Sequence, residues 1–425
     1  MPTEPTNATG GGPIQALRSL SPQQRKSGLA AWLGWLFDGL DMHIYTLVAT
    51  PFVAALLMTK TSDPEVGLKS SIIQAAFLVG WALGGAVFGR IGDLFGRSKA
   101  LILTILCYAI FTGLSAISTE WWHLMIFRFL SALGIGGEWA VGASLLSETW
   151  PKKWRPWIAA TLQTAVNLGI LLACLSGWLL EAADPRWIFV VGVLPALLTL
   201  WIRHAVPETD EWTAARHKTK PPGISALFST NVASRTIRAL VICGVSLTAH
   251  WAFMFWQQKF IRVHPEIINL GAVEQNRAAV HALTVLMLGS ICGNFIAGWL
   301  AKTVGYRKSI AFLMACYGIT MAITFCREWS YSWTLFWFVL LGAWAGVFGL
   351  FTMCLPPIFP TLLRTTGSGF CYNFGRLAAA AGTIFFGMIT TVDRPGQALL
   401  YASALFLPAA ILALYLPLEE ETNEA

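Results

Sequence analysis

The chain has 425 residues, of which 56% are hydrophobic and only 12% charged, with 20 tryptophans and a mean hydropathy of +0.60. So much apolar surface has no place on a water-soluble domain. The formal charge of +7 would suit a nucleic-acid surface, but its distribution along the chain points to a lipid bilayer instead.

Met1 to Leu20 is rich in Pro, Gly, Thr and Asn over its first thirteen residues and reads as a disordered tail without the apolar core of a cleaved signal peptide. After it come twelve apolar stretches long enough to cross a bilayer as helices, in which every backbone polar group is satisfied internally. They run over about 28–58, 71–89, 99–118, 122–147, 157–180, 187–205, 239–260, 279–300, 308–326, 333–358, 367–391 and 396–416. The predicted fold is an all-α membrane protein, with a tail (1–20), a first six-helix bundle (21–203), a polar connector (204–238) and a second six-helix bundle (239–425). Of the 29 Lys and Arg, 19 fall on the side of the tail and connector and 8 on the other, while Arg128 and Arg376 lie inside spans. That asymmetry places both termini in the cytoplasm.

The first span carries Asp38 and Asp41, three residues apart and therefore expected on one helical face. A carboxylate at mid-bilayer costs roughly 2.5–3.5 kcal/mol on insertion scales, so such residues face a cavity or a partner. Burial and mutual repulsion suit one of the pair to binding and releasing a proton, and the spacing leaves open which one. Between the second and third spans, Gly89, Gly92, Asp93, Gly96 and Arg97 form a compact loop ending at Lys99. Its glycines allow close helix approach, and Asp93 can accept from a helix N-terminus or pair with Arg97. The fourth span contains Arg128 and Glu138, ten residues and about 15 Å apart, too far to pair with each other. Glu138 is a second proton-site candidate, whereas Arg128 reads as a structural charge between the first and fourth spans. Glu148, before Pro151 and the basic run to Arg155, is the natural ionic partner of Arg97 at an inner gate.

The loop spacing returns, damaged, at Gly298 to Lys308, and Pro151 to Arg155 returns at Pro360 to Arg364, both at an offset of 209 residues. One offset occurring twice marks a tandem duplication. An even number of spans per half makes the repeats parallel. On this register Asp93 maps to Lys302 and Glu148 to Pro357, so the gate is expected to be weaker in the second half. Asp41 maps to His250, a residue that titrates near neutral pH and can join a proton path; His281 is a lesser candidate. Asn167 maps to Arg376, and the two are expected to face each other across the halves. Arg376 suits bidentate recognition of a carboxylate, and Tyr45, Gln163, Trp251, Gln257, Tyr372 and Asn373 are candidates for the rest of the pocket.

The Gly89 to Lys99 loop resembles the signature between helices 2 and 3 of the major facilitator superfamily, and Arg128-Phe129-Leu130-Ser131-Ala132-Leu133-Gly134-Ile135-Gly136 is similar to its helix 4 motif. Within it, Asp38-Gly39-Leu40-Asp41, Gly136-Gly137-Glu138-Trp139 and Tyr372-Asn373-Phe374-Gly375-Arg376 look most like organic-acid:proton symporters of the sialate, monocarboxylate and aromatic-acid kinds. The resemblance implies a plasma (inner) membrane transporter that moves a small organic anion with a proton by alternating access. It also implies a monomer with no cofactor beyond the coupling proton, and no nucleic-acid partner. The alternatives are a sugar or other neutral-solute:proton symporter, which has less need of Arg376, and a drug exporter. No nucleophile, metal or phosphate-loop constellation points to an enzyme.

Overall fold

The structure is a computed structural model that describes residues 20–60, 63–179, 184, 186–389 and 395–418. The expected tail up to residue 19, with Arg18, and also Arg394 lie outside the described residues. The described chain is helical throughout: α1 (Pro22–Leu56), α2 (Pro64–Phe95), α3 (Arg97–Ala116), α4 (Trp121–Thr149), α5 (Arg155–Leu179), α6 (Trp187–Val191), α7 (Ala196–Ala205), α8 (Asp210–Lys218), α9 (Ala233–Arg262), α10 (Ala272–Val304), α11 (Tyr306–Phe325), α12 (Tyr331–Ala345), α13 (Val347–Cys354), α14 (Arg364–Ile389), α15 (Pro395–Ser403) and α16 (Phe406–Ala413). Among the described residues, nine stretches are long and apolar enough to span a membrane. The helix α1, the broken pair α6/α7 and the helix α14 take the remaining three of twelve positions.

Local chemistry sets the ends. Helix α1 starts at Pro22, six residues before the first apolar span, because Ser21 and Gln24 form a reciprocal capping box with bonds of 2.9 and 3.1 Å. Helix α9 likewise begins at Ala233 rather than 239, so its first turns are polar and lie outside the hydrophobic stretch. The duplication is visible in the backbone. Gly96 and Gly305, 209 residues apart, both separate two spans at positive φ, +109° and +83°, a region that only glycine enters without strain.

Close packing repeats with the same offset. A Cβ at Gly80 or Gly84 on α2 would lie 2.2 or 2.1 Å from the Phe129 or Leu133 carbonyl oxygen of α4, and one at Gly289 or Gly293 on α10 would lie 2.2 or 2.0 Å from that of Val339 or Ala343 on α12. Helix association in lipid depends on such small-residue contacts rather than on a hydrophobic drive. Residues such as Leu83, Leu103, Ile110, Phe312 and Ile319 are exposed on the outside of the bundle, as a lipid-facing surface requires.

The halves meet along two seams near the face that carries the Gly89 to Lys99 loop, here called the basic face. In one, Gly85 and Gly89 of α2 press against Gly369 and Thr365 of α14. In the other, Gly298 of α10 and Gly349 of α13 press against Pro156 and Ala159 of α5.

Candidate functional site

A cavity opens between the two halves, above these seams. The first half contributes Trp35, Asp38 and Met42 of α1, Trp81 of α2, Trp139 of α4, and Gln163 and Asn167 of α5. The second contributes His250 and Trp251 of α9, Ser290 of α10, Tyr317 of α11, Phe348 of α13, and Tyr372 and Arg376 of α14. Asn167 and Arg376 thus share one cavity. Eight of the lining residues, counting His250, are aromatic and most of the others aliphatic, with one permanent cation and one carboxylate among them.

Arg376 is 5% exposed. Its guanidinium carbon lies 3.9 Å from the centre of the Trp81 ring and 4.8 Å from that of Tyr372. One of its terminal nitrogens donates to the Asn373 side-chain oxygen. Asn373 is held by its own amide donating to the Gly136 and Gly369 carbonyls at 3.1 and 3.0 Å. Asn373 is therefore a support behind the cation, not part of the cavity wall. Among the described residues, Arg376 makes no ion pair, and its Nε has no hydrogen-bond partner. Two aromatic faces lie against this buried cation instead, each worth up to about 2 kcal/mol where water is excluded. A bound anion could take up the Nε donor, which has no partner among the described residues.

The two aspartates of α1 have separate environments. Three residues are roughly 300° of helix, which leaves a rotation of about 60° between them. Asp38 lines the cavity. Asp41 turns into the first half, where Arg128 donates to both its carboxylate oxygens at 3.2 Å and to its carbonyl at 3.1 Å, Ser131 donates at 3.0 Å and Thr112 completes the set. Arg128 thus ties α4 to α1 and does not reach the cavity. Glu138, fully buried, meets the Asp38 carboxyl and lies over Gly34 of α1, where a Cβ would be 1.6 Å from its Oε1.

The 209-residue register does not make Asp41 and His250 equivalent. His250 faces the cavity, hydrogen-bonds the Tyr317 hydroxyl at 3.1 Å and packs on Phe348 at 4.3 Å between ring centres. His281 bonds the Tyr331 hydroxyl at 3.3 Å, away from the cavity. Two pocket candidates are misplaced by sequence reasoning. Tyr45 donates to the Ser70 carbonyl at 3.1 Å, and Gln257 is buried behind the wall. Each lies three residues beyond a lining residue of its own helix, Met42 and Met254, and is turned about 60° away from it around the axis. Gln163, Trp251 and Tyr372 do line it.

The floor of the cavity is an aromatic contact between the halves. Trp139 stacks on Tyr372 with ring centres 4.0 Å apart and planes 2° from parallel, and Trp81 meets Trp251 edge-on at 5.3 Å. Nearer the basic face, a polar seal closes the path. Arg97 bonds Asp93 at 2.9 Å, Glu148 at 2.8 Å and the Thr361 carbonyl at 2.7 Å, with all three charged side chains fully buried. Glu148 also receives Arg364 at 3.2 Å and the Thr209 hydroxyl at 2.6 Å. Gly89 and Gly92 face Thr365, Gly96 lies under Glu208, and Arg155 donates to the Ser147 carbonyl at 2.8 Å.

The second half is therefore no bystander to the seal, although it lacks the acids of the first. It supplies Arg364, which sits at the 209-residue offset from Arg155, and the N-terminus of α14. Sequence reasoning noted that repeat but gave Arg364 no role. It also missed the connector, where Trp212 donates to the Asp93 carbonyl at 3.0 Å and Glu211 pairs with Arg364 at 2.9 Å.

Two parallel six-helix bundles around a central cavity, sealed on one face by contacts between the bundles, define a membrane carrier rather than an enzyme. A family model described as "Sugar (and other) transporter" matches residues 30–243. The chain is 30% identical to a probable 4-methylmuconolactone transporter of Cupriavidus pinatubonensis, over 87% of this chain and 85% of that one. It is 28% identical to the sialic acid transporter NanX of Escherichia coli, over 93% and 94%. A solved structure of the proton:xylose symporter XylE superposes with a TM-score of 0.74 over 93% of this chain and 96% of that one, at 16% identity. The chain belongs to the Sugar (and other) transporter family, within the major facilitator superfamily.

Proposed function

We propose that the protein is a secondary transporter of a small, flat organic monoanion, moved together with a proton by alternating access across the inner membrane with both termini in the cytoplasm. The observation that carries this reading is Arg376, a cation in the cavity wall that pairs with no acid among the described residues and whose Nε has no hydrogen-bond partner among them. A guanidinium presents a planar fork that matches a carboxylate. An anion entering the cavity satisfies the cation without first displacing an internal partner.

The rest of the wall supports a flat apolar body. Trp81, Trp139, Trp251, Phe348 and Tyr372 offer ring faces and edges, whereas neutral polar groups are few, among them Gln163, Asn167 and Ser290. A polyhydroxylated solute needs a donor or acceptor for each hydroxyl it buries, because unpaired polar groups cost about 1–3 kcal/mol each. The names of relatives agree with an organic acid: 4-methylmuconolactone, niacin, cis,cis-muconate and gentisate. Asp38 in the same wall supplies the group for proton coupling.

Rocking one half against the other opens the basic face when the Trp139–Tyr372 stack and the polar seal part. Uptake into proteoliposomes under an acid-outside pH step tests the reading, with benzoate, nicotinate, lactate, sialate and glucose as substrates. Accumulation of a flat carboxylate and not of glucose is expected. Accumulation of glucose, with no carboxylate moved, would establish the neutral-solute alternative.

A further inference from the structure

Two asparagines meet across the halves at the edge of the cavity. Asn167 of α5 is buried but lines it, whereas Asn294 of α10 is fully buried and is not among the lining residues. Along α10, Met287 and Ser290 face the cavity and Gly298 faces the α5 seam, and with Asn294 these positions fall within about 80° of the helix circumference. Asn294 therefore sits under the wall, between cavity and seam. Its Nδ2 donates to Asn167 Oδ1 at 3.3 Å, and Asn167 Nδ2 in turn donates to Met287 Sδ at 3.4 Å. Asn294 Oδ1 has no hydrogen-bond partner among the described residues, so what this side chain contributes is its donation to Asn167.

The two bonds fix which way the Asn167 amide points. With both amides turned over, the link between them would survive, but the Asn167 oxygen would face a sulfur that has no hydrogen to give. The oxygen of Asn167 is thus committed to Asn294, and its N–H end lies with Met287, a lining residue. Among the described residues that sulfur is the one partner of Asn167 Nδ2, and a thioether is a weak acceptor. A carbonyl oxygen or ring nitrogen brought in by a ligand is a stronger one. The Ser290 hydroxyl can turn to give or to accept and so selects neither, whereas the Asn167 amide, held from behind, selects an acceptor.

Asn167 and Arg376 stand at the 209-residue offset, so the two halves present a neutral donor and a cationic donor from corresponding positions to one cavity. We propose that Asn167 is a second recognition site, for an uncharged acceptor on the substrate whose carboxylate binds Arg376, and that Asn294 is the positioning residue that sets its direction. This rests on the proposed transport of a flat monoanion and narrows it to one class: a planar monocarboxylate that carries a keto or lactone carbonyl, or a ring nitrogen, away from the acid. A second carboxylate does not fit, because Arg376 is the one permanent cation among the lining residues. An unsubstituted acid such as benzoate leaves the Asn167 donor on sulfur.

Matched ligands test this on the purified protein. In meta- and para-acetylbenzoate a carbonyl replaces the carbon–carbon double bond of meta- and para-isopropenylbenzoate in the same planar shape, so calorimetric titration of each pair isolates one acceptor. In the wild type at least one pair is expected to favour the acetyl compound. That preference should fall by about threefold to tenfold in both Asn167→Leu and Asn294→Leu, the equivalent of one neutral hydrogen bond. A leucine at position 294 that only loosened the seam would weaken both members of a pair alike and leave the ratio as in the wild type. Equal ratios in wild type and variants would overturn the second site, as would tighter binding of isophthalate or terephthalate than of the acetyl compounds. Either variant decides alone if the other fails to fold. The wild type gives a further reading by infrared spectroscopy with acetylbenzoate isotope-labelled at the ketone carbon: the bound carbonyl stretch should lie below its position in an aprotic solvent, and an unshifted band would overturn the proposal. Wild-type protein that binds neither benzoate nor any of these acids would remove the carboxylate reading together with the second site, whereas binding with unchanged ratios removes the second site alone.

Discussion

Asp93 of the first half caps the first turn of α14 in the second half, accepting from the Thr366 backbone N–H at 2.9 Å and from the Thr366 hydroxyl at 2.6 Å. A carboxylate at a helix N-terminus is stabilised by unsatisfied N–H groups and by the helix dipole. Here that interaction spans the two halves and lies in the seal. On the proposed alternating-access cycle it is lost when the basic face opens, so its energy would count toward the closed state.

Thr366→Val, which keeps the shape and removes the hydroxyl, is expected to shift the closed-to-open ratio by about tenfold to a hundredfold, since a hydrogen bond to a charged group is worth roughly 1.5–3 kcal/mol. Asp93→Asn weakens the cap and the Arg97 pair together and should shift it further. Labelling of a single cysteine placed in the seam from the basic face reads the change. Unchanged accessibility in both variants would remove the cap from the gate.

The seam between α2 and α14 should tolerate no added volume while closed. A Cβ at Gly85 would lie 2.0 Å from Asn373 Nδ2 and 2.6 Å from the Gly369 carbonyl oxygen, and one at Gly89 would lie 2.8 Å from that of Thr365. Gly85→Ala and Gly89→Ala are therefore expected to hold the basic face open and to lower transport without unfolding the protein. The same labelling assay checks this, and normal transport by both variants would show that the helices separate at no cost.

How far the sequence reveals this arrangement depends on what each residue is read from. The twelve spans and the duplication were legible because hydropathy and a fixed offset need no knowledge of packing. The Arg97–Asp93 pair lay within one short motif, and its link to Glu148 followed from the ends of adjacent spans. What stayed hidden was rotation about the helix axis. Asp38 and Asp41 look alike in sequence, yet 60° of helix separates a cavity wall from an ion pair. Tyr45 and Gln257 failed for the same reason, each lying three residues from a lining methionine of its own helix but turned away from the cavity. The seal's contribution from α14 was missed because half of it is backbone N–H, which every residue but proline carries.

The ion pair of Asp41 with Arg128 is expected to govern folding rather than coupling. Both groups are fully buried, with Ser131 and Thr112 satisfying what Arg128 leaves. Removing one partner of such a pair costs about 3–5 kcal/mol, because the other is left as an uncompensated buried charge. Arg128→Met should lower the thermal unfolding midpoint in detergent substantially, and the double variant Arg128→Met with Asp41→Leu should recover much of the loss. If Arg128→Met unfolds at the wild-type temperature, the pair contributes no stability.

Recognition of the anion is expected to depend on the shape of Arg376 as well as its charge. The guanidinium carbon lies 3.9 Å from the centre of the Trp81 ring and one of its nitrogens is held by Asn373, which together orient its donor edge. Arg376→Lys keeps the charge but loses both the ring stacking and the fork, so affinity for benzoate should fall by about tenfold to a hundredfold, the equivalent of one or two charge-assisted bonds. Arg376→Gln removes the charge and should abolish carboxylate binding while the protein remains folded, since no acid is left behind unpaired. Trp81→Leu removes the platform without touching the charge and should fall between wild type and Arg376→Lys. Tryptophan fluorescence or calorimetric titration with benzoate measures the series. One monoanion moved with one proton carries no net charge, so uptake by the wild type should not respond to a potassium–valinomycin potential. Folded Arg376→Gln protein with wild-type affinity for benzoate would show that Arg376 only braces the bundle, and a strong response to the potential would rule out a one-to-one stoichiometry.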